Sequence, residues 1–156
     1  MKLSKDPSKE MIVETEKILR YISGIIKKNG RKILHQYPIT SPQFVALQWV
    51  SEKRNFTIGE LSKKIGLAFS TTTDLVDRME KNELVERVRD QKDRRVVRIH
   101  ILDKGKDIIK EVVKKRQEYL GEVLASLSIK EMEQMNEVLG ILHHQMHQLD
   151  EQEKIK

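Results

Sequence analysis

The 156-residue chain contains no cysteine, which excludes a disulfide framework, a thiolate metal site and thiol-based redox sensing. No stretch approaches the roughly 18 uninterrupted apolar residues of a membrane span. The opening "MKLSKDPSKE" has no apolar run to serve as a secretory core. The expected location is therefore the cytoplasm. Glycine and proline are sparse, seven and three residues, and no repeat or low-complexity segment appears, so long helices are expected. A phosphate-cradling Gly-rich loop, a nucleophile elbow and an HExxH pattern are all missing, and neither an enzyme nor a cofactor is expected.

Positive charge, by contrast, is abundant. Thirty Lys and Arg against 24 Asp and Glu leave +6 and a pI near 9.4, a balance suited to a polyanionic partner. Its densest concentration is "RVRDQKDRRVVRIH", Arg87 to His100. Residues 87–98 hold Arg87, Arg89, Lys92, Arg94, Arg95 and Arg98 against Asp90 and Asp93, a net +4. Taken alone, such a stretch can be a solvated hairpin tip guarding a strand edge. What flanks it decides the reading.

From Ser8 to about Leu34, Ile12, Leu19, Ile22, Ile26 and Ile33 recur at helical spacing. "YPITSPQF" interrupts this helix, and Ser41 followed by Pro42 predicts an N-cap with proline at the first position of a second one. Thr57 and Glu60 have capping-box spacing, which predicts a short helix ending at Gly66. "STTTDLVDRMEKNEL" resumes the helical pattern, with Thr72 expected to pack inward and Asn82 expected as a left-handed C-cap. Two short helices across a tight turn make a helix-turn-helix.

Two alternating runs follow, "ELVERVRD" and "RVVRIHIL", joined by a loop near "DQKDR". In the first, Leu84, Glu86 and Val88 share one face and Val85, Arg87 and Arg89 the other; in the second, Val97, Ile99 and Ile101 alternate with Val96, Arg98 and His100. A hairpin directly after a helix-turn-helix gives a mainly α fold, a winged helix-turn-helix with a two-stranded β wing. Helices then run from Asp103, with a break at "SLSIKEM" where Ser128 and Glu131 repeat the capping-box spacing. The last helix carries Met132, Met135, Val138, Leu139, Leu142, Met146 and Leu149. That stripe needs the N-terminal helix or a second copy of the chain to cover it.

In this fold the second helix of the motif enters the major groove of DNA with short polar side chains at its N-terminal end. Ser70, Thr71 and Thr73 stand there, with Lys63, Lys64, Arg78 and Arg89 available for phosphates or long-range charge. A basic loop beside that helix can reach the neighbouring minor groove. Double-stranded DNA is thus the expected partner.

"SPQFVALQWV" and "TIGELSKKIGLAFSTTTDLVDRMEKNELVERVRDQKDRRVVRIHILDKGK", with the long closing helices, resemble the multiple-antibiotic-resistance regulator (MarR) family. The likeness is most specific from Leu61 to Gly105. It implies a bacterial or archaeal transcription regulator, a repressor acting as a homodimer on a pseudo-palindrome, often released by an acidic or aromatic small molecule. It also implies that Asp93 and Arg95 form the structural and DNA-contacting pair of the wing, with Arg94 at its tip. Residues 1–36 and 103–156 would then be dimerisation helices around a DNA-binding domain at 37–102. By the same resemblance an effector site would draw on the first, second and fifth helices, with His35, Tyr37 and Trp49 as candidates. Departures concern Ala68, where the family usually has a capping Ser or Asp, so that the recognition helix is expected from Ser70. Asp74 is expected to pair with Arg78, and Asp103 to cap the long helix in place of the family's Thr.

Two other readings stay open. Winged helices also serve as protein-docking modules, although those more often present apolar or acidic surfaces. "HHQMH" sets His143 and His147 one turn apart, a spacing compatible with a zinc-responsive regulator, but only Asp150 or a partner chain could add ligands. No metal residues are assigned.

Overall fold

The computed structural model describes residues 8–53 and 55–155. The chain divides into two compact units, one through Arg116 and one from Gln117. Its elements are α1 (Lys9–Leu34), α2 (Ser41–Glu52), β1 (Phe56–Thr57), α3 (Ile58–Ile65), α4 (Phe69–Lys81), β2 (Val85–Arg89), β3 (Val97–Ile101), α5 (Asp103–Leu124) and α6 (Ile129–Ile155). Among the described residues no helix is long and apolar enough to cross a membrane.

Helix boundaries follow local hydrogen bonding. Ser8 caps α1 by accepting from the Met11 amide at 3.3 Å. Thr40, not Ser41, caps α2: its hydroxyl accepts from the Gln43 amide at 3.3 Å and the Gln43 side chain accepts from the Thr40 amide at 3.1 Å. The reciprocal pair moves the start back one residue and leaves Pro42 inside the first turn, where its missing N–H costs nothing. Thr57 caps α3 by accepting from the Glu60 amide at 3.1 Å. The Glu60 carboxylate lies 3.9 Å from Lys53 Nζ, a solvent-facing alternative to closing the box. Gly66 ends α3 at φ +72°, the left-handed position that glycine adopts without a Cβ penalty.

Three expectations at helix ends are corrected. The helix of the DNA-reading motif starts at Phe69, with Ala68 at the N-cap and no side-chain cap; the backbone bond from the Thr72 amide to the Ala68 carbonyl at 2.9 Å suffices to begin it. Asn82 is not left-handed, at φ −87°; Glu83 takes that conformation at φ +62°. Asp103 lies within α5, whose first backbone bond runs from the Lys106 amide to the Leu102 carbonyl at 3.0 Å.

The hairpin β2–β3 forms as the alternation predicts, with Val85 opposite Ile101, Arg87 opposite Ile99 and Arg89 opposite Val97. A third strand joins it. Phe56 and Thr57 of β1 pair with Ile99 and Arg98, giving the order β1-β3-β2. Two residues are too few to show alternation, so the pattern of the residues predicts only two of the three strands. The core packs Phe44, Leu47 and Val50 of α2, Leu61 of α3, Val76 and Met79 of α4, and Leu84, Val85 and Ile99 of the hairpin against Ile108 and Val112 of α5. Gly105 makes the entry of α5 possible. A Cβ there would stand 2.5 Å from the Leu84 carbonyl oxygen and 3.1 Å from Leu47 Cδ1.

In the second unit, Ser128 caps α6 by accepting from the Glu131 amide at 3.1 Å, the half of the box its spacing predicts, while the Glu131 carboxylate accepts from the Ser128 hydroxyl at 3.1 Å rather than from its backbone N–H.

Candidate nucleic-acid interface

The site is built from α4 and the hairpin. At 3.6 residues per turn, Ser70, Thr71, Asp74 and Arg78 fall on one side of α4, opposite the buried Thr72, Val76 and Met79. All four are exposed. Thr72 packs inward as expected, with its hydroxyl donating to the Ala68 carbonyl at 2.9 Å. Thr73 stands apart from the exposed row: it is half-buried, and its hydroxyl donates to the Phe69 carbonyl at 3.0 Å.

Six basic residues of the hairpin divide into a base and a tip. Strand alternation sets Arg87 on the inward face beside Val85, opposite Ile99, so only 23% of its side chain is exposed. Its backbone N–H donates to Glu80 Oε2 at 2.8 Å and its Nη1 to Glu80 Oε1 at 3.0 Å. Nη2 reaches the Asp77 carboxylate and the Thr73 carbonyl. One arginine thus clamps β2 to two successive turns of α4. On the outward face, Arg98 donates to the Asn55 carbonyl at 2.8 Å and lies 3.5 Å from Asp90 Oδ1; at the end of β2, Arg89, on the same strand face as Arg87 and opposite Val97, donates from Nη1 to the Arg94 carbonyl at 3.3 Å.

The tip is ordered by two aspartates. Asp90 Oδ2 accepts from the Asp93 amide at 3.2 Å, and Asp93 Oδ1 accepts from the Arg95 amide at 3.1 Å. The Asp93 carboxylate also takes Arg95 Nε at 3.1 Å and Nη2 at 3.3 Å. These bonds, the Arg95 side chain first and its backbone second, hold the Asp93 carboxyl below its ordinary pKa. Arg95 remains 90% exposed, and Arg94 and Lys92 beside it are exposed too.

By composition alone Arg87 and Arg98 are two more charges of the basic patch; their bonds make them braces. The available signal was the alternation, which sets Arg87 on the same face as Val85. The expected Asp74–Arg78 ion pair does not form among the described residues; the acids of α4 that are engaged are Asp77 and Glu80, both with Arg87.

Lys63 and Lys64 occupy the last turn of α3 and are exposed. Lys64 Nζ lies 5.3 Å from the Trp49 ring centroid, a cation–π distance. Tyr37 carries a different cation, Lys115 Nζ at 5.1 Å. Tyr37 and Trp49 both pack on the core, while His35 is exposed as the C-cap of α1. His143 and His147 stack with ring centroids 6.4 Å apart, and among the described residues no third His, Cys, Asp or Glu joins them in a metal-binding arrangement.

Two helices across a glycine turn, followed by a clamped basic hairpin, define a winged helix-turn-helix DNA-binding protein. Residues 39–97 match the model of the MarR family. The HTH-type transcriptional regulator YsmB of Bacillus subtilis is 57% identical over 137 residues, 88% of this chain and 94% of that protein. A MarR family protein from Bacillus stearothermophilus superposes with a TM-score of 0.85 at 53% identity, covering 90% of this chain and 99% of the other. The fold is shared with FabT of Streptococcus pneumoniae, solved in complex with DNA, at a TM-score of 0.71 and 21% identity over 86% and 99% of the two chains. The chain belongs to the MarR family of transcriptional regulators.

Proposed function

We propose that the protein is a homodimeric, sequence-specific repressor that sets α4 in the major groove and its wing in the adjacent minor groove of a pseudo-palindromic operator. The observation that carries this reading is the Arg87 clamp, which makes a groove-sized helix and an arginine-bearing loop one body. Ser70 and Thr71 read base edges, with Thr73 at the junction with the wing. Arg94 and Arg95 enter the minor groove, with Asp93 orienting Arg95. Lys63, Arg78 and Arg89 neutralise phosphates, and Lys64 does so by leaving the Trp49 ring. The DNA complex of FabT, a protein of the same fold, supports this docking.

Residues 1–36 and 103–156 supply the dimer contacts; residues 1–7 and 156 of those spans lie outside the described residues. Support comes from a row of exposed apolar side chains on α1, including Met11, Ile12, Ile18, Ile22 and Ile26, and another on α6, including Val138, Leu139 and Met146. Apolar surface on this scale marks an association site. An acidic or aromatic effector, held by His35, Tyr37 and Trp49, releases DNA in the cytoplasm by changing the separation of the two wings.

Selection of bound fragments from a randomised DNA pool tests the reading. An inverted repeat with half-sites about 10 base pairs apart, or a multiple of that, bound with steeply salt-dependent affinity, is the expected result. A folded protein that enriches no sequence would overturn it in favour of a protein-docking module.

A further inference from the structure

Asp74 occupies an unfavourable place for a carboxylate. It lies in the middle of the exposed face of α4, between Ser70 and Thr71 on the N-terminal side and Arg78 one turn on, and it points away from the core. The other acids of the helix, Asp77 and Glu80, are engaged by Arg87. Among the described residues the Asp74 side chain has no ion-pair or hydrogen-bond partner, although Arg78 stands four residues away, within reach on the same face. An unpaired negative charge there opposes approach to phosphates and weakens every non-specific encounter with DNA. It is compatible with tight binding only where it meets hydrogen-bond donors.

In the major groove the donors are exocyclic amino groups, the N4 amino group of cytosine and the N6 amino group of adenine. Adenine sets its acceptor N7 next to N6, which repels a carboxylate and suits an amide. Cytosine offers the amino group without that neighbour. We infer that Asp74 is a specificity-determining residue that accepts a hydrogen bond from the N4 amino group of one cytosine in each operator half-site and discriminates against other sequences by repulsion. The inference rests on the DNA-binding reading above. It assigns the carboxylate two effects of opposite sign, a gain on the right base pair and a penalty everywhere else.

The test is sequence selection from a randomised pool by the wild-type chain, Asp74→Ala and Asp74→Asn. Affinities are then measured on the wild-type site, on the same site with the chosen C·G pair replaced by T·A, and on unrelated DNA. Wild type should prefer the C·G site by about tenfold or more, the range of a good side-chain-to-base contact. Asp74→Ala should lose that preference to within about twofold while binding unrelated DNA several-fold more tightly, because a charge facing the phosphates is gone. Asp74→Asn should move the preference from cytosine towards adenine, whose N6 and N7 pair with an amide.

A merely structural residue would weaken binding to all three duplexes alike. That outcome, or retention of the cytosine preference by Asp74→Ala, overturns the inference while leaving the DNA-binding reading intact. If wild type selects no sequence at all, both fall. Thermal unfolding of each variant identifies loss of fold, and the Asn variant, which preserves the shape of the side chain, keeps the base preference measurable.

Discussion

The base and the tip of the wing hairpin are built from the same residue type and do different work. At the base, Arg87 is only 23% exposed and its hydrogen bonds all go to α4, so its charge is consumed inside the protein. At the tip, Arg95 is 90% exposed, although its backbone amide, Nε and Nη2 all donate to the Asp93 carboxylate, so its side chain still faces solvent. A count of positive charges cannot distinguish these roles; burial and partner geometry do. The base ties the wing to α4, and the tip leaves its charge exposed, as the proposed contact with DNA requires.

Substitutions should separate the two. The largest effect is expected beneath the base, at Gly105. Alanine in a helix ordinarily gains about 1 kcal/mol over glycine, but here its Cβ would meet the Leu84 carbonyl oxygen at 2.5 Å. Overpacking costs up to about 3 kcal/mol, so Gly105→Ala should lower stability by about 2 kcal/mol in chemical denaturation. Arg87→Ala should follow, at about 1–2 kcal/mol, because Asp77 and Glu80 are solvent-accessible enough to rehydrate when their partner is removed. Its DNA affinity should fall as well, since helix and wing are no longer clamped. Arg94→Ala with Arg95→Ala should leave thermal unfolding within about 0.5 kcal/mol of wild type; a larger loss would show that the tip also serves the fold.

The smallest effect concerns Asp93. Its folded pKa is held below the ordinary value of about 3.9, so the contribution of its bonds to wing order is present above that value and is lost as pH falls through the lower folded one. Carboxyl NMR titration should find its midpoint below the usual aspartate range, and Arg95→Ala should return it towards that range. An Asp93 midpoint unmoved by removal of Arg95 would break the proposed pairing.

Much of this was legible in the residues themselves. Capping signals at Thr57, Gly66 and Ser128 and the alternation of Val97, Ile99 and Ile101 act through neighbours close in sequence, and the structure follows them. The loop at "DQKDR" was equally readable. What escaped depends on contacts far apart in the chain. β1 exists because Phe56 pairs with Ile99, 43 residues on, and Arg87 is a clamp because α4 lies under β2. The start of α4 escaped for another reason: Ala68 begins the helix with backbone bonding alone, and no side-chain signal marks it. The division of the wing arginines into braces and contacts required the three-dimensional arrangement.

The most direct test of the central claim is the affinity of wild type and the Arg94→Ala, Arg95→Ala variant for a selected inverted repeat at two salt concentrations. Wild-type affinity should fall steeply with salt, and the variant should bind at least about 1 kcal/mol more weakly with a shallower slope, because fewer phosphate counterions are released. Equal affinities and equal slopes in a folded variant would contradict the assignment of the wing tip to DNA.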